Sequence, residues 1–116
     1  MTPFRLERDA ESLQSIAADA AITANSAAQG DTTDAFVRAH VGELEKEAGR
    51  LADVVASTRP EPQLRRETRR LEALSRRLAT LLARLERDPG DRALARRVRA
   101  VCSDVATRAE RLGQSA

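Results

Sequence analysis

The chain has 116 residues, the length of one domain, and its formal net charge is only +2. Phe4 and Phe36 are its only aromatic residues, so the core must be built from leucine, valine, isoleucine and alanine. Its one cysteine, Cys102, excludes a disulfide within the chain, and the valines around it predict a buried thiol.

The sequence gives no sign of a membrane segment. No stretch approaches the ~20 apolar residues that a transmembrane helix needs, so we expect no membrane partner. The first residues are polar and acidic, which argues against a signal peptide. A lone thiol suits a reducing compartment, and we therefore expect a cytoplasmic location.

The first predicted helix covers about 3–29. Thr2 and Pro3 have the pattern of an N-cap followed by proline at the first helical position, and Gly30 is suited to end the helix. Apolar residues recur at alternating spacings of four and three: Leu6, Ala10, Leu13, Ala17, Ala20, Ala24 and Ala27. The alanine-rich second half buries little area, so we expect it either to fray or to be covered by a partner.

The second predicted helix covers about 33–57, with Thr33 among its candidate N-caps. Its apolar stripe consists of Phe36, Val37, Val41, Leu44, Ala48, Leu51 and Val55. Gly42 and Gly49 lie seven residues apart on one side of this helix. They are either tolerated surface glycines or the site of a close contact with another backbone.

Two further helices follow the break at Pro60 and Pro62. The third covers about 62–87 and carries leucines at a spacing of seven: Leu64, Leu71, Leu78 and Leu85. A turn at 88–91 precedes the fourth helix, at about 91–112, which Gly113 is expected to end.

The fold predicted from these elements is all-α. Short connections between long helices favour antiparallel neighbours, so we expect a four-helix up-down-up-down antiparallel bundle as a single domain over 1–116. The main alternative is a dimer of two long helical hairpins.

Charge is divided unequally between the two halves of the chain. Residues 1–58 hold five basic and ten acidic residues, a net charge of −5, whereas residues 59–116 hold fifteen and eight, a net charge of +7. This division would hold the halves together, pair chains head to tail, or present a basic surface to an acidic partner.

Arginine doublets mark the third and fourth helices. One interpretation is a solvated surface with local pairs, because Glu67 is three residues before Arg70 and Glu72 is four before Arg76. The other is a binding surface for phosphate or an acidic partner. The residues predicted for that interaction surface are Arg65, Arg66, Arg69, Arg76, Arg96, Arg97 and Arg99.

The sequence lacks the residue patterns of common catalytic and metal sites. There is no glycine-rich phosphate loop and no Cys-x-x-Cys, and His40 is the only histidine, so we expect no catalytic residues, no metal and no cofactor.

His40 raises one specific alternative. Its position on a mid-chain helix of a small bundle is similar to that in histidine phosphotransfer domains, and the resemblance would imply phosphorylation of His40. That family usually has lysine three and glycine four residues after its histidine, whereas this chain has Glu43 and Leu44.

These observations predict a non-catalytic, non-enzymatic helical module that binds a protein partner and acts as an adaptor, a chaperone-like helper or a subunit of an assembly. One candidate partner is a second copy of the chain, in a homodimer. The alternative is non-specific binding of a nucleic-acid backbone through the arginines of the third and fourth helices.

Overall fold

The computed structural model describes residues 1–115 and contains four α-helices. They are α1 (Pro3–Gln29), α2 (Asp34–Ser57), α3 (Arg65–Arg87) and α4 (Arg92–Gln114). Helices that follow one another in the chain pack side by side, and α4 returns to α1, with the closest packing in the pairs α1/α4 and α2/α3. The predicted all-α, up-down-up-down four-helix bundle is confirmed, and one chain supplies all four helices.

The helix starts follow the predicted capping residues. The Thr2 hydroxyl accepts a hydrogen bond from the Arg5 amide at 3.2 Å, and the Thr33 hydroxyl accepts one from the Phe36 amide at 3.1 Å. Gly30 has a φ of 72° and ends α1 in the left-handed conformation that glycine adopts without steric cost. The segment Pro62–Leu64 differs from the prediction, because it forms a 3₁₀ turn that leads into α3.

The sequence predicts that Gly113 ends α4, and this prediction is wrong. The helix continues to Gln114 and is closed by Ser115, whose amide donates to backbone carbonyls of the last turn. A Cβ on Gly113 would lie 3.6 Å from the Cβ of Ala10, an ordinary van der Waals distance. Gly113 therefore lies where α4 contacts α1, at a position that would also accept alanine.

The core combines long side chains from α3 with short ones from α1. Leu71, Leu78, Leu82 and Leu85 have no exposed surface, and neither do the alanines at 17, 20 and 24. The expected fraying of α1 is not observed, because α1 is helical to Gln29 and its alanines are buried by the chain's own helices. Those alanines are consequently not available to a partner.

Phe36 lies outside the core, which corrects its assignment to the apolar stripe of α2. Its side chain is 53% exposed, while the adjacent Val37 is buried. The Phe36 ring stacks on His40, with ring centroids 5.6 Å apart. The core-facing position in this turn belongs to Val37, and Phe36 faces outward beside α1.

No helix among residues 1–115 combines the length and the apolar character that crossing a membrane would require.

The two glycines of α2 differ in their surroundings. For neither would an added Cβ have a backbone atom of another helix as its nearest neighbour. A Cβ on Gly42 would lie 2.9 Å from Glu86 Oε1, a side-chain atom, whereas a Cβ on Gly49 would have nothing within 4 Å. Gly49 is thus a tolerated surface glycine, and Gly42 is covered by the Glu86 side chain.

Replacing Gly49 with alanine should therefore stabilise the bundle. We expect Gly49→Ala to raise the free energy of unfolding by about 0.5–1 kcal/mol, because alanine restricts the unfolded chain and favours the helix. Urea denaturation of the purified chain would measure this. The control is Gly42→Ala, which should gain less because Glu86 must move. A lower stability for Gly49→Ala would contradict the open environment described.

Cys102 is buried in α4, as predicted. Burial disfavours the thiolate and raises the pKa of the thiol from 9.0 to about 12. The thiol therefore stays protonated in the folded chain at pH values where an exposed thiol would ionise.

This shift makes stability depend on alkaline pH. Below about pH 9 both states keep the proton, but between about pH 9 and pH 12 only the unfolded chain loses it. The free energy of unfolding should then fall by up to ~1.4 kcal/mol per pH unit because of this group. Urea denaturation across that range should show a steeper fall for the native sequence than for Cys102→Ala. Equal slopes would show that the thiol is not desolvated.

Candidate functional site

The outer junction of α3 and α4 gathers arginines from both helices. The two helices run antiparallel from the turn at 88–91, so residues at equal distances from that turn lie side by side. Arg77 Nη1 of α3 is 3.6 Å from Asp104 Oδ2 of α4. Arg70 and Leu74 of α3 share a surface depression with Arg108 and Arg111 of α4.

Helical periodicity extends this junction toward the turn. Arg84 follows Arg77 by seven residues and therefore lies on the same side of α3. Arg97 precedes Asp104 by seven residues and therefore lies on the same side of α4. We call this surface the α3/α4 strip. Its residues are Arg70, Leu74, Arg77, Leu81 and Arg84 of α3 and Arg97, Val101, Asp104, Arg108 and Arg111 of α4.

Arginines outnumber carboxylates six to one on the strip. Asp104 Oδ2 accepts a hydrogen bond from Arg108 Nε at 2.9 Å and also lies near Arg77. Within residues 1–115, the other four strip arginines make no ion pair with a carboxylate. The strip therefore carries positive charge that the fold itself does not neutralise.

Apolar side chains lie between these arginines. Leu74, Leu81 and Val101 are partly buried and pack against the core cluster while keeping some surface exposed. A surface with an apolar centre and cationic edges suits an amphipathic, acidic ligand better than a purely ionic one.

The seven arginines predicted from the sequence do not form one surface. Arg65 and Arg69 line a depression on the α2 side of α3. On the same side, Arg76 lies 3.5 Å from Asp53 and 3.3 Å from Glu72. On α4, Arg99 donates to Asn25 of α1 at 3.0 Å.

The remaining three predicted residues differ in position. Arg66 and Arg96 are exposed, and only Arg97 belongs to the α3/α4 strip. The sequence interpretation missed the other five strip arginines. The spacing of three of them was a signal in the sequence, because Arg70, Arg77 and Arg84 recur every seven residues, each directly before a buried leucine.

One of the two predicted local ion pairs is present. Glu72 pairs with Arg76, but the predicted pair of Glu67 with Arg70 does not form. Glu67 Oε2 is buried and has no hydrogen-bond partner among the described residues. Within residues 1–115, Arg70 therefore makes no ion pair with a carboxylate.

His40 forms a separate small cluster between α1 and α2. Its Nε2 is 3.0 Å from Asp19 Oδ1, and its ring stacks on Phe36. The only cysteine thiol is buried in α4, on another helix. No group of three or more His, Cys, Asp or Glu side chains within residues 1–115 is arranged to hold a metal ion.

No family model, no curated protein and no solved structure matches this chain.

The charge imbalance of the strip should be measurable in the stability of the free chain. Arg97→Glu would place a carboxylate near Arg84 and should raise the free energy of unfolding by about 0.2–1 kcal/mol at low ionic strength. The gain should shrink at about 0.5 M salt, where exposed charges are screened within a few ångströms.

The matched control for this change is Arg50→Glu on α2. Arg50 has Glu47 and Asp53 within one turn, so its reversal should leave stability unchanged or lower it. Thermal unfolding of the two variants at both salt concentrations would compare them. A destabilised Arg97→Glu at low salt would contradict an excess of positive charge on the strip.

Proposed function

We propose that this chain is a non-catalytic helical interaction module that binds an acidic, amphipathic helix of a protein partner along the α3/α4 strip. The observation that carries the proposal is the placement of six arginines, with a single carboxylate, around the exposed parts of Leu74, Leu81 and Val101. Carboxylates on the partner would neutralise the arginines, and its apolar residues would cover the leucines.

The dimensions of the strip suit such a ligand. Arg70 and Arg84 are fourteen residues apart on α3, which corresponds to a length of about 21 Å. A partner helix of about four turns would span it. At one end Leu74 and Leu112 line a shallow depression with Arg70, Arg108 and Arg111, which can receive an apolar side chain.

Binding of a nucleic-acid backbone remains the second candidate. The exposed arginines outside the strip, such as Arg66 and Arg96, could contact phosphates without any apolar ligand. The partly exposed leucines favour the protein ligand, because phosphates gain nothing from an apolar surface.

The surroundings of His40 argue against the third candidate, phosphotransfer at this side chain. Asp19 lies 3.0 Å from Nε2, and Glu43 follows one turn later on α2. Two carboxylates near the ring would repel an incoming phosphoryl group.

The test is binding of a designed helical peptide of about 15 residues with leucines on one side and glutamates on both flanks. Fluorescence anisotropy with the full chain should show saturable binding. A peptide with glutamine in place of glutamate, and one with the same residues in scrambled order, should both bind at least about tenfold more weakly, a loss of ~1.4 kcal/mol.

Adjacent arginines of α3 provide a matched pair of variants. Arg70→Glu with Arg77→Glu changes the strip and should weaken the peptide about tenfold or more. Arg69→Glu with Arg76→Glu makes the same change in charge on the α2 side and should have a much smaller effect. Circular dichroism would confirm that both variants are folded.

Two outcomes would contradict the proposal. Equal losses for the two double variants would show attraction by net charge rather than by the strip. Tight binding of a DNA duplex, with a steep loss between about 50 and about 200 mM salt and no binding of the peptide, would favour the nucleic-acid candidate instead.

A further inference from the structure

The side of the bundle opposite the strip carries every large hydrophobic residue that is strongly exposed among residues 1–115. Phe4 and Ile22 of α1 are 74% and 69% exposed, and Phe36 and Val54 of α2 are 53% and 43% exposed. We call the outer surface of these two helices the α1/α2 face.

These four residues occupy the two ends of the α1/α2 face. Phe4 and Ile22 are 18 residues apart, and so are Phe36 and Val54, which places each pair on one side of its helix about five turns apart. The hydrogen bond between Asp19 and His40 fixes the register of α1 against α2. Ile22 and Phe36 therefore lie at one end of the face, and Phe4 and Val54 lie at the other.

Exposed carboxylates of α2 lie in the stretch between the two apolar ends. Glu43 and Glu47 make no ion pair within residues 1–115, and Arg50 lies one heptad beyond Glu43. Glu11 of α1 instead lines a depression beside Ala109 and Glu110 of α4. Together α1 and α2 carry five basic and nine acidic residues, whereas α3 and α4 carry fourteen and five. The two faces thus have opposite charge.

The two faces cannot neutralise each other within one chain. The bundle follows chain order, so the α1/α2 edge lies opposite the α3/α4 edge, with the core between them. A single ion pair, Arg76 with Asp53 at 3.5 Å, joins the acidic and basic halves among the described residues. The remaining charge of each face is therefore open to an oppositely charged surface of another molecule.

We infer that the α3/α4 strip of one copy binds the α1/α2 face of a second copy, so that chains associate head to tail. This inference rests on the proposed function and names the partner of the same strip. The carboxylates of Glu43 and Glu47 face the strip arginines, while an apolar end of the α1/α2 face reaches the depression beside Leu74 and Leu112.

Dimensions and symmetry agree with this arrangement. The bundle extends over 45 × 22 × 17 Å, so a stable interface of ~800 Å² per partner would occupy most of one long side. Because the two faces lie on opposite sides, the contact is heterologous and leaves one face free on each end copy. Pairing two α1/α2 faces would instead oppose carboxylates to carboxylates.

Sedimentation equilibrium of the full chain tests the inference. At about 20 mM salt the average mass should increase with concentration beyond that of a dimer, and at about 500 mM salt it should fall toward the monomer. Ile22→Ser changes an exposed side chain that the fold does not need, and it should weaken association at least about threefold without unfolding the chain.

A mixing experiment separates head-to-tail contact from every symmetric one. The basic-strip variant is Arg70→Glu with Arg77→Glu, and the acidic-face variant is Glu43→Arg with Glu47→Arg. Each alone should be monomeric, because one of its two faces is reversed. An equimolar mixture should associate, because the acidic-face variant keeps a native strip and the basic-strip variant keeps a native α1/α2 face.

Three results would overturn the inference: a native chain that stays monomeric at low salt, variants that still dimerise alone, or a mixture that stays monomeric. The acidic peptide separates this failure from failure of the proposed function. A monomeric native chain that still binds the peptide would overturn self-association alone, whereas loss of peptide binding as well would overturn both.

Discussion

Burial of the leucine stripe of α3 is the constraint on which the other features depend. Leu71, Leu78 and Leu85 have no exposed surface, and each is directly preceded by an arginine. Consecutive residues of a helix are separated by about 100° of rotation, so burying the leucines directs those arginines to the edge beside α4. The α3/α4 strip is thus a geometric consequence of core packing, and its side chains are aligned by the same heptad that stabilises the bundle.

The order of the helices then determines how charge is distributed over the surface. Short connections make each helix a neighbour of the next, so the acidic α1 and α2 share one edge and the basic α3 and α4 share the opposite one. The idea that opposite charges hold the two halves together finds little support, because the one ion pair between them within residues 1–115 is exposed. Exposed pairs contribute about 0–1 kcal/mol, which is small beside a core of fully buried leucines, valines and alanines.

The architecture and the helix starts were predictable from the sequence because periodicity and capping residues are local signals. The exposure of Phe36 was not predicted, although its spacing from Val41 and Leu44 places it about 100° away from the buried Val37. The end of α4 shows a real limit, because glycine is common at helix ends and the sequence does not show that this helix continues through Gly113. The strip combines residues from two helices that are far apart in the sequence. Those residues lie at similar distances from the turn at 88–91, and this spacing could have shown that they become neighbours.

The stability of the fold and the association proposed for it depend on different parts of this molecule. The core consists of apolar side chains and does not depend on the charges of the strip. Four of the six strip arginines therefore make no ion pair among residues 1–115, at a modest electrostatic cost. That cost falls when a carboxylate-bearing surface approaches, and the exposed parts of Leu74 and Leu81 lose contact with water in the same event. A bundle built in this way gains more from a partner than an evenly charged one would, which is why the placement of charge, rather than any reactive group, is the feature from which we infer its role.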